Sequence, residues 1–192
     1  NIDFDALVEQ VEKLTQTWSE RSKVAMPASD SPDSVPNGIS LESHIVTPDA
    51  QQAYIVGISP GPSSTCEDRY AARALSSIMG DEGGSRLFWE LIDSGRAEVA
   101  TLWSHEFMNE GAWFTYMVCA PQDAKSNQRL MEEIIQGTIK NGIKPEELQQ
   151  TLSKATAGAI MQSERPSNRL FGIGSRWLTC GEYLSTDDAL NC

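Results

Sequence analysis

Two neighbouring stretches with the two-residue period of a β-strand lie between residues 97 and 120. Alternate side chains of the first stretch, Ala97 to Phe107, share one face: Val99, Thr101, Trp103, His105 and Phe107. The second stretch, Ala112 to Ala120, contains the largely aromatic and β-branched run from Trp113 to Val118. The short segment Asn109-Glu110-Gly111 between them fits a tight turn. This region therefore predicts an antiparallel hairpin and commits part of the chain to a sheet.

Most of the remaining chain has the spacing of amphipathic helices. A helix is predicted over residues 3–19, with Asp3 as its N-cap. Further helices are predicted from Ser64 or Thr65 to Met79, from Ser85 to Gly95, over 123–140, 145–163 and 167–179, and from a cap at Thr186. Strands are predicted at Ile39–Thr47 and Ala53–Ile58. This order predicts an α+β fold, a mostly antiparallel sheet covered by helices on one face.

The composition changes sharply between residues 20 and 38, which are rich in Ser, Pro, Asp and Gly. Such a segment is typical of a linker or surface loop. We expect residues 1–38 to comprise a helix and a linker, and residues 39–192 to form one domain with a truncated last helix. Because the sequence starts at Asn1 without Met, the chain is expected to be part of a longer protein.

Charge and composition exclude several classes of function. The 192 residues include 15 Lys and Arg against 27 Asp and Glu, a formal net charge of −12. This charge argues against binding to nucleic-acid phosphates and to anionic membrane surfaces. With two histidines, the chain cannot build a zinc site from three imidazoles. Its cysteines, Cys66, Cys119, Cys180 and Cys192, have no zinc spacing, and their roles stay open.

Two short patterns suggest catalysis and fail on physical grounds. Gly57-Ile58-Ser59-Pro60-Gly61 has the letters of a nucleophile elbow, but Pro60 has no N–H to stabilise an oxyanion, and we expect a loop after Ile58. His105-Glu106 begins like a zinc-peptidase motif on a strand, where the two side chains point to opposite faces. A metal site from His44, His105 and a carboxylate is one alternative, and a hydrogen-bonded strand histidine is the other. The acidic side chains of Glu132, Glu133, Glu146 and Glu147 are predicted to be solvated or helix-start charges.

Several segments, taken in order, resemble one family. A helix ends at a Gly-rich break, Gly80 to Gly84, before Ser85-Arg86-Leu87-Phe88. The same pattern includes Pro48 to Gly57 as a first strand pair, Gly142-Ile143-Lys144-Pro145-Glu146-Glu147-Leu148 as a helix entry, and closing helices over 155–164 and 167–181. Together they resemble the C-terminal, non-catalytic domain of pitrilysin- or insulinase-type zinc metallopeptidases, and residues 1–19 resemble the helix that ends the preceding domain. That superfamily includes bacterial zinc proteases and mitochondrial processing peptidase, and its domains share the metallohydrolase-like fold.

The resemblance carries implications for the site. The catalytic domain of such enzymes holds zinc on a helix with the motif H-x-x-E-H. The matching segment here is Ala71-Ala72-Arg73-Ala74-Leu75, so we expect no catalytic residue, no metal ligand and no cofactor in this chain, and zinc only in a sister domain. The family's substrate-binding Arg and Tyr correspond to Ile92 and Val99, and Arg96 is a possible substitute. Ile92, Arg96 and Val99 are therefore the candidate substrate contacts.

The resemblance also implies a function. The chain is expected to pack on a sister domain, or on a partner subunit, and to help enclose and orient a peptide substrate of a zinc metalloendopeptidase homologue. The alternative is a structural or assembly subunit of the same fold with no proteolytic role. No nucleic-acid or membrane partner is expected. The compartment, bacterial cytoplasm or periplasm, is left open by the sequence.

Overall fold

A computed structural model of the chain describes residues 3–18, 42–181, 183 and 185. The chain divides into two compact units, residues 1–44 and residues 45–192. The elements are α1 (Phe4–Thr15), β1 (Ala53–Gly61), α2 (Arg69–Gly80), a π-helical turn (Phe88–Ile92), β2 (Val99–Glu106), β3 (Gly111–Cys119), a 3-10 turn (Pro121–Asp123), α3 (Ala124–Asn141), α4 (Pro145–Ser163) and α5 (Pro166–Cys180). None of the described helices combines the length and the hydropathy needed to span a membrane. The division into 1–38 and 39–192 stays a prediction.

Helix α1 belongs to the first unit. The Asp3 carboxylate accepts hydrogen bonds from the backbone N–H groups of Asp5 and Ala6 at 3.1 and 3.2 Å, which confirms the predicted N-cap. Apolar side chains recur along one stripe and are exposed: Phe4, Leu7, Val8, Val11 and Leu14. The stripe gives the helix an apolar face that its own unit does not bury.

The second unit is built around a three-stranded antiparallel sheet with the order β1-β3-β2. The predicted hairpin is confirmed, since β2 and β3 pair from Val99 opposite Val118 to Glu106 opposite Gly111. Strand β1 pairs with the other edge of β3, from Ala53 opposite Cys119 onward. The predicted α+β class is confirmed, because helices accompany this small antiparallel sheet.

The two faces of the sheet differ in burial along the edge strands, while on the central strand Val118 of the outer face is buried as well. Residues of the inner face join the helices and the π-helical turn in one core: Met79, Leu87, Leu91, Ala97, Ala100, Leu102, Met117, Cys119 and Met131. Alternate positions of the same strands form the opposite, outer sheet face, defined here by Tyr54, Val56, Ile58, Val99, Trp103, Phe114 and Tyr116. Because strand side chains alternate between faces, the pairing register of the strands determines both which residues face the core and which lie on the outer sheet face.

Helix α2 lies directly against the free edge of β2. Gly80 is so close that a Cβ there would come within 3 Å of backbone atoms of Leu102. One turn earlier, the Ser76 hydroxyl accepts a hydrogen bond from the Ser104 backbone N–H at 2.9 Å. The helix thus covers an edge that could otherwise pair with another strand.

The predicted strand Ile39–Thr47 is wrong over residues 42–47, which have no regular secondary structure. Residues 39–41 lie outside the described residues. Within the described sheet no strand pairs with the outer edge of β1, and the side chains of Ile45 and Val46 are about nine-tenths exposed. The segment therefore lacks both the ladder hydrogen bonds and the burial that stabilise a strand.

Other element boundaries also differ from the sequence prediction. Strand β1 runs through Pro60 to Gly61 instead of ending at Ile58, since an edge strand tolerates a residue without an N–H. Helix α2 begins only at Arg69 because the preceding residues form turns, such as the Cys66 N–H bonded to the Ser63 carbonyl.

The Ser85 cap is confirmed, with its Oγ accepting from the Phe88 N–H at 3.2 Å. The short helix that follows turns π-helical, and the N–H of Asp93 bonds to the carbonyl of Phe88. Helices α3, α4 and α5 confirm the three predicted helices after residue 120. The predicted cap at Thr186 lies outside the described residues.

Candidate functional site

Two of the segments that carry the family resemblance meet in space. The Arg86 guanidinium binds both carboxylate oxygens of Glu147, with Nε–Oε1 at 2.8 Å and Nη2–Oε2 at 2.7 Å. It also donates to Thr138 Oγ1 at 2.8 Å and to the Gly142 carbonyl at 3.1 Å. We call Arg86, Thr138, Gly142 and Glu147 the Arg86 junction. It fastens the turn after the Gly-rich break to the end of α3 and the start of α4.

The electrostatics of the Arg86 junction favour the charged forms of both partners. The hydrogen bonds from Arg86 lower the pKa of Glu147 to about 2, against partial burial that acts to raise it. The Lys144 backbone N–H adds a further hydrogen bond at 2.7 Å. In return, Glu147 raises the pKa of Arg86 above its ordinary value. The ion pair of Arg86 and Glu147 therefore connects the helices of the domain, and it offers no nucleophile.

Sequence reasoning did not find this junction. The prediction of a helix-start charge is confirmed for Glu147, which lies in the first turn of α4, but its carboxylate is also bound to Arg86. The prediction is confirmed for Glu132, Glu133 and Glu146, which are exposed. Arg86 and Glu147 are 61 residues apart, so no local pattern connects them. Their presence in two family segments is the only signal that could have paired them.

A second polar connection joins the end of α2 to α4. Asp81 accepts hydrogen bonds from the Lys154 ammonium and, at 3.0 Å, from the Ser77 hydroxyl. Partial burial acts to raise the pKa of Asp81, but the hydrogen bonds from Lys154, Ser77 and the Glu82 N–H outweigh it and lower that pKa. These groups line a shallow pocket of about 170 Å³ together with Gly83 and Thr151.

The segment that matches the zinc helix lies inside α2 and does not fit a metal. Ala72 is buried and Leu75 packs against the core. Across residues 3–18, 42–181, 183 and 185, no three His, Cys, Asp or Glu side chains are grouped to hold a metal ion. The alanine and leucine side chains of this segment supply packing area, and Arg73 is a cation paired with Glu106, so the segment supplies neither a zinc ligand nor a base. No catalytic step is therefore derived through zinc in this chain.

The histidines have separate environments. His44 Nε2 lies 2.9 Å from Glu42 Oε1 in an exposed pair. His105 lies on the outer side of β2, with its ring 4.6 Å from that of Phe107. Glu106 points to the other side, where both of its oxygens accept from Arg73 of α2 at 2.6 and 2.7 Å. The opposite orientation predicted for His105 and Glu106 is confirmed.

The remaining reactive patterns have no catalytic geometry. Gly57 to Gly61 lie within β1, whereas a nucleophile elbow needs a turn from strand to helix. Cys66, Cys119 and Cys180 are free thiols. Cys192 lies outside the described residues.

The three predicted substrate contacts lie in different local environments. Ile92 ends the π-helical turn and packs against the core. Val99 begins β2 on the outer sheet face, opposite Val118. Arg96 lies in the exposed connection between them, where its backbone N–H bonds to the Leu91 carbonyl at 2.9 Å. Its carbonyl accepts from the buried amide of Asn127 at 2.8 Å. Their roles in binding stay predictions.

The outer sheet face is the most extensive feature that the sequence prediction passed over. Tyr54, Val56 and Ile58 on β1 are each 60% exposed or more. Trp103 stacks on Phe114 across the strands with ring centroids 5.2 Å apart. The signal was present in the sequence: from Ala53 to Val56 every residue is apolar or aromatic, as in strands buried on both faces.

Comparison with known proteins places these observations in one family. Residues 1–154 match the family model described as the peptidase M16 inactive domain. The chain belongs to this family. An uncharacterized zinc protease of Mycobacterium tuberculosis is 25% identical over 193 residues, which cover 99% of this chain and 43% of the relative. The chain thus spans less than half the length of the curated relatives it matches.

Solved structures show the same fold at low identity. A protease from Helicobacter pylori superposes with a TM-score of 0.76 at 16% identity, over 99% of this chain and 49% of that one. A chain of complex III from Candida albicans superposes with a TM-score of 0.63, also at 16% identity, over 74% of this chain and 36% of that one. A similar fold is thus present both in the Helicobacter pylori protease and in complex III from Candida albicans.

Proposed function

We propose that this chain is the non-catalytic lobe of an M16 zinc peptidase homologue. In this role it packs against a catalytic sister domain, in the same protein or in a partner subunit, and helps to enclose and orient an extended peptide. The observation that carries the proposal is the outer sheet face, which is apolar yet exposed in this chain. Zinc belongs to the sister domain, because the matching segment of α2 has no side chain that could bind it.

The outer sheet face would serve as the docking surface for the sister domain. A sheet with apolar side chains on both faces needs a second layer to cover it. Burial of one large apolar side chain contributes about 1.5–3 kcal/mol, so Tyr54, Val56 and Ile58 alone could contribute substantially to the contact. Residues 1–38 would then lead from the sister domain into the lobe that begins at residue 39.

Arg96 is the predicted contact whose chemistry suits a peptide best. A guanidinium donates several hydrogen bonds to backbone carbonyls or to a carboxylate. Both the N–H and the carbonyl of the Arg96 backbone form hydrogen bonds, which fix the position of the backbone that carries this side chain. Enclosure between two lobes would orient the peptide and keep it away from bulk water.

Peptide hydrolysis by the full-length protein, with and without a zinc chelator, tests this proposal. We expect chelator-sensitive cleavage of an unstructured peptide. Ile58→Glu should lower this activity by at least about tenfold, because a carboxylate on the docking face opposes contact with an apolar partner. Ile139→Glu is the matched control, since Ile139 is 72% exposed on α3 and lies away from the sheet. Equal activity of the two variants would contradict the docking role of this face.

The alternative function is a structural or assembly subunit without proteolysis, and the likeness to a chain of complex III favours it. Here the same apolar face would bind a partner subunit permanently. A full-length protein that cleaves no unstructured peptide at any added zinc concentration, yet co-purifies in a stable complex disrupted by Ile58→Glu, would support this alternative over the peptidase lobe.

A further inference from the structure

Three arginines gather around Tyr70 at the start of α2, in a chain that is otherwise strongly acidic. The Cζ atoms of Arg69 and Arg73 lie 4.4 and 5.8 Å from the centroid of the Tyr70 ring. Arg176 of α5 donates to the Tyr70 hydroxyl, with Nη1 and Oη 3.4 Å apart. We call these four residues the arginine cluster. Cations placed over a tyrosine ring are attracted by its π electrons, but that attraction does not neutralise their charge.

Arg69 is the unusual member of the arginine cluster. Its residue is only 8% exposed, and a buried cation normally has an anionic partner. Its guanidinium donates to two neutral acceptors, the Cys66 carbonyl and the Tyr70 hydroxyl, each at 3.0 Å. Among the described carboxylates none forms an ion pair with it. A bound anion would give Arg69 the negatively charged partner that the described carboxylates do not supply.

The Tyr70 hydroxyl gives a second, independent indication. Its oxygen accepts hydrogen bonds from two guanidinium groups, those of Arg69 and Arg176. In this arrangement the hydroxyl proton is free to donate, and it finds no acceptor in the part of the chain that the structure describes. A hydroxyl that accepts from two cations is a strengthened donor. An oxyanion is the acceptor that such a donor binds best.

The arginine cluster is partly exposed to solvent. Glu106 already binds Arg73 with both oxygens, so that carboxylate is engaged with one member of the cluster. Glu67 and Asp68, which precede Arg69, are exposed. The Arg73 side chain is itself 61% exposed, and Tyr70 and Arg176 are partly exposed, so the cluster opens to solvent.

We propose that the arginine cluster is a binding site for a small oxyanion, a phosphate or carboxylate group held by Arg69 and the Tyr70 hydroxyl. The ligand could be inorganic phosphate or the terminal carboxylate of a peptide, since both present oxygens that accept from a guanidinium fork. The site does not depend on the proposed function, because its residues lie outside the outer sheet face and the predicted substrate contacts.

Isothermal titration calorimetry on the full-length protein tests the site. Inorganic phosphate and sodium acetate are titrated separately at constant ionic strength maintained with sodium chloride. We expect saturable binding of one oxyanion per chain. Tyr70→Phe keeps the ring and removes the hydroxyl, and it should weaken binding about tenfold, the effect of losing one hydrogen bond to a charged group.

The variants and ligands separate the outcomes. Arg69→Gln should abolish binding, and Arg129→Gln, which removes an exposed arginine of α3, should leave it unchanged within about twofold, as a distant surface change should. Preference for phosphate would identify a phosphoryl ligand, and preference for acetate and for a peptide with a free C-terminus would identify a peptide carboxylate. The absence of saturable binding for both anions, or equal binding by wild type and Tyr70→Phe, would overturn the proposal.

Discussion

The two faces of the three-stranded sheet have similar side chains, but the most exposed of them lie on the outer face, along the edge strand β1. On β3, Met117 of the inner face is fully buried, whereas on β1 the outer-face residues Tyr54, Val56 and Ile58 are 60–68% exposed. The helices cover one face of a sheet whose composition suits burial on both faces. The proposed docking of a sister domain on the outer sheet face would account for this difference.

Removing side chains from each face tests this comparison with the largest expected effect. Met117→Ala should lower the free energy of unfolding by about 2–5 kcal/mol, because it leaves a cavity in the core. Ile58→Ala should lower it by about 1–3 kcal/mol in the full-length protein if the outer sheet face is covered. Chemical denaturation monitored by tryptophan fluorescence measures both. A negligible effect of Ile58→Ala would mean that the outer sheet face is bare.

Contact between α2 and the edge of β2 can be broken at one glycine. Gly80→Ala should lower the free energy of unfolding by about 1–3 kcal/mol, because its new methyl group would overlap backbone atoms of Leu102. Gly137→Ala is the matched control on α3, where a Cβ would meet no atom within 4 Å. It should raise stability by about 0.5–1 kcal/mol through helix propensity. Thermal unfolding of both variants would show opposite shifts, and similar shifts would contradict the described packing.

The Arg86 junction predicts a pH-dependent contribution on the covered side of the sheet. Glu147→Gln should lower the free energy of unfolding at neutral pH by about 1–3 kcal/mol, as expected for a hydrogen bond to a charged group. The folded-state pKa of Glu147, about 2, lies below its ordinary 4.5. The stabilisation is therefore complete above about pH 4.5 and is lost as the pH falls towards 2.

Denaturation curves between pH 2 and 7 measure this contribution. Wild type and Glu147→Gln should converge at the acid end. Glu146→Gln, one residue earlier and exposed, should stay within about 0.5 kcal/mol of wild type throughout. A constant difference between wild type and Glu147→Gln across the range would show that the charge of Glu147 is not responsible.

The smallest effect on stability is expected at Arg96, on the exposed connection before β2. Arg96→Gln should change the free energy of unfolding by less than about 0.5 kcal/mol, because its side chain forms no ion pair with a described carboxylate. If Arg96 binds peptide, the substitution should raise KM while kcat changes less. Steady-state kinetics with an unstructured peptide measures this, and an unchanged KM would remove Arg96 from the substrate contacts.

Local periodicity predicted most of the fold. The hairpin of β2 and β3, the cap at Asp3 and helices α3 to α5 all depend on residues close in sequence, where side-chain spacing reports the backbone period. The predicted strand fails over residues 42–47 because pairing, and not propensity, decides whether an exposed segment becomes a strand. The strand β1 was predicted to end at Ile58 because proline usually interrupts a strand. Only the position of β1 at the edge of the sheet shows that Pro60 is tolerated there.

The site was less predictable than the fold. The absence of zinc ligands in Ala71 to Leu75 could be read directly from the sequence. The ion pair between Arg86 and Glu147 could not be predicted, because Arg86 precedes α3 in the sequence and Glu147 follows it, and no local pattern connects them. The arginine cluster likewise depends on α5 returning to the start of α2, which brings Arg176 to the Tyr70 hydroxyl. Ile92, Arg96 and Val99 came from the resemblance alone and stay predictions.

Hydroxyl-radical footprinting of the full-length protein tests the central claim most directly, because it measures side-chain exposure on the outer sheet face. Tyr54 and Trp103 are the reporters, and Trp89, which is 56% exposed away from that face, is the internal reference. If a second domain covers the outer sheet face, Tyr54 and Trp103 should be protected while Trp89 is oxidised. Oxidation of Tyr54 at a rate comparable with that of Trp89 would contradict the account.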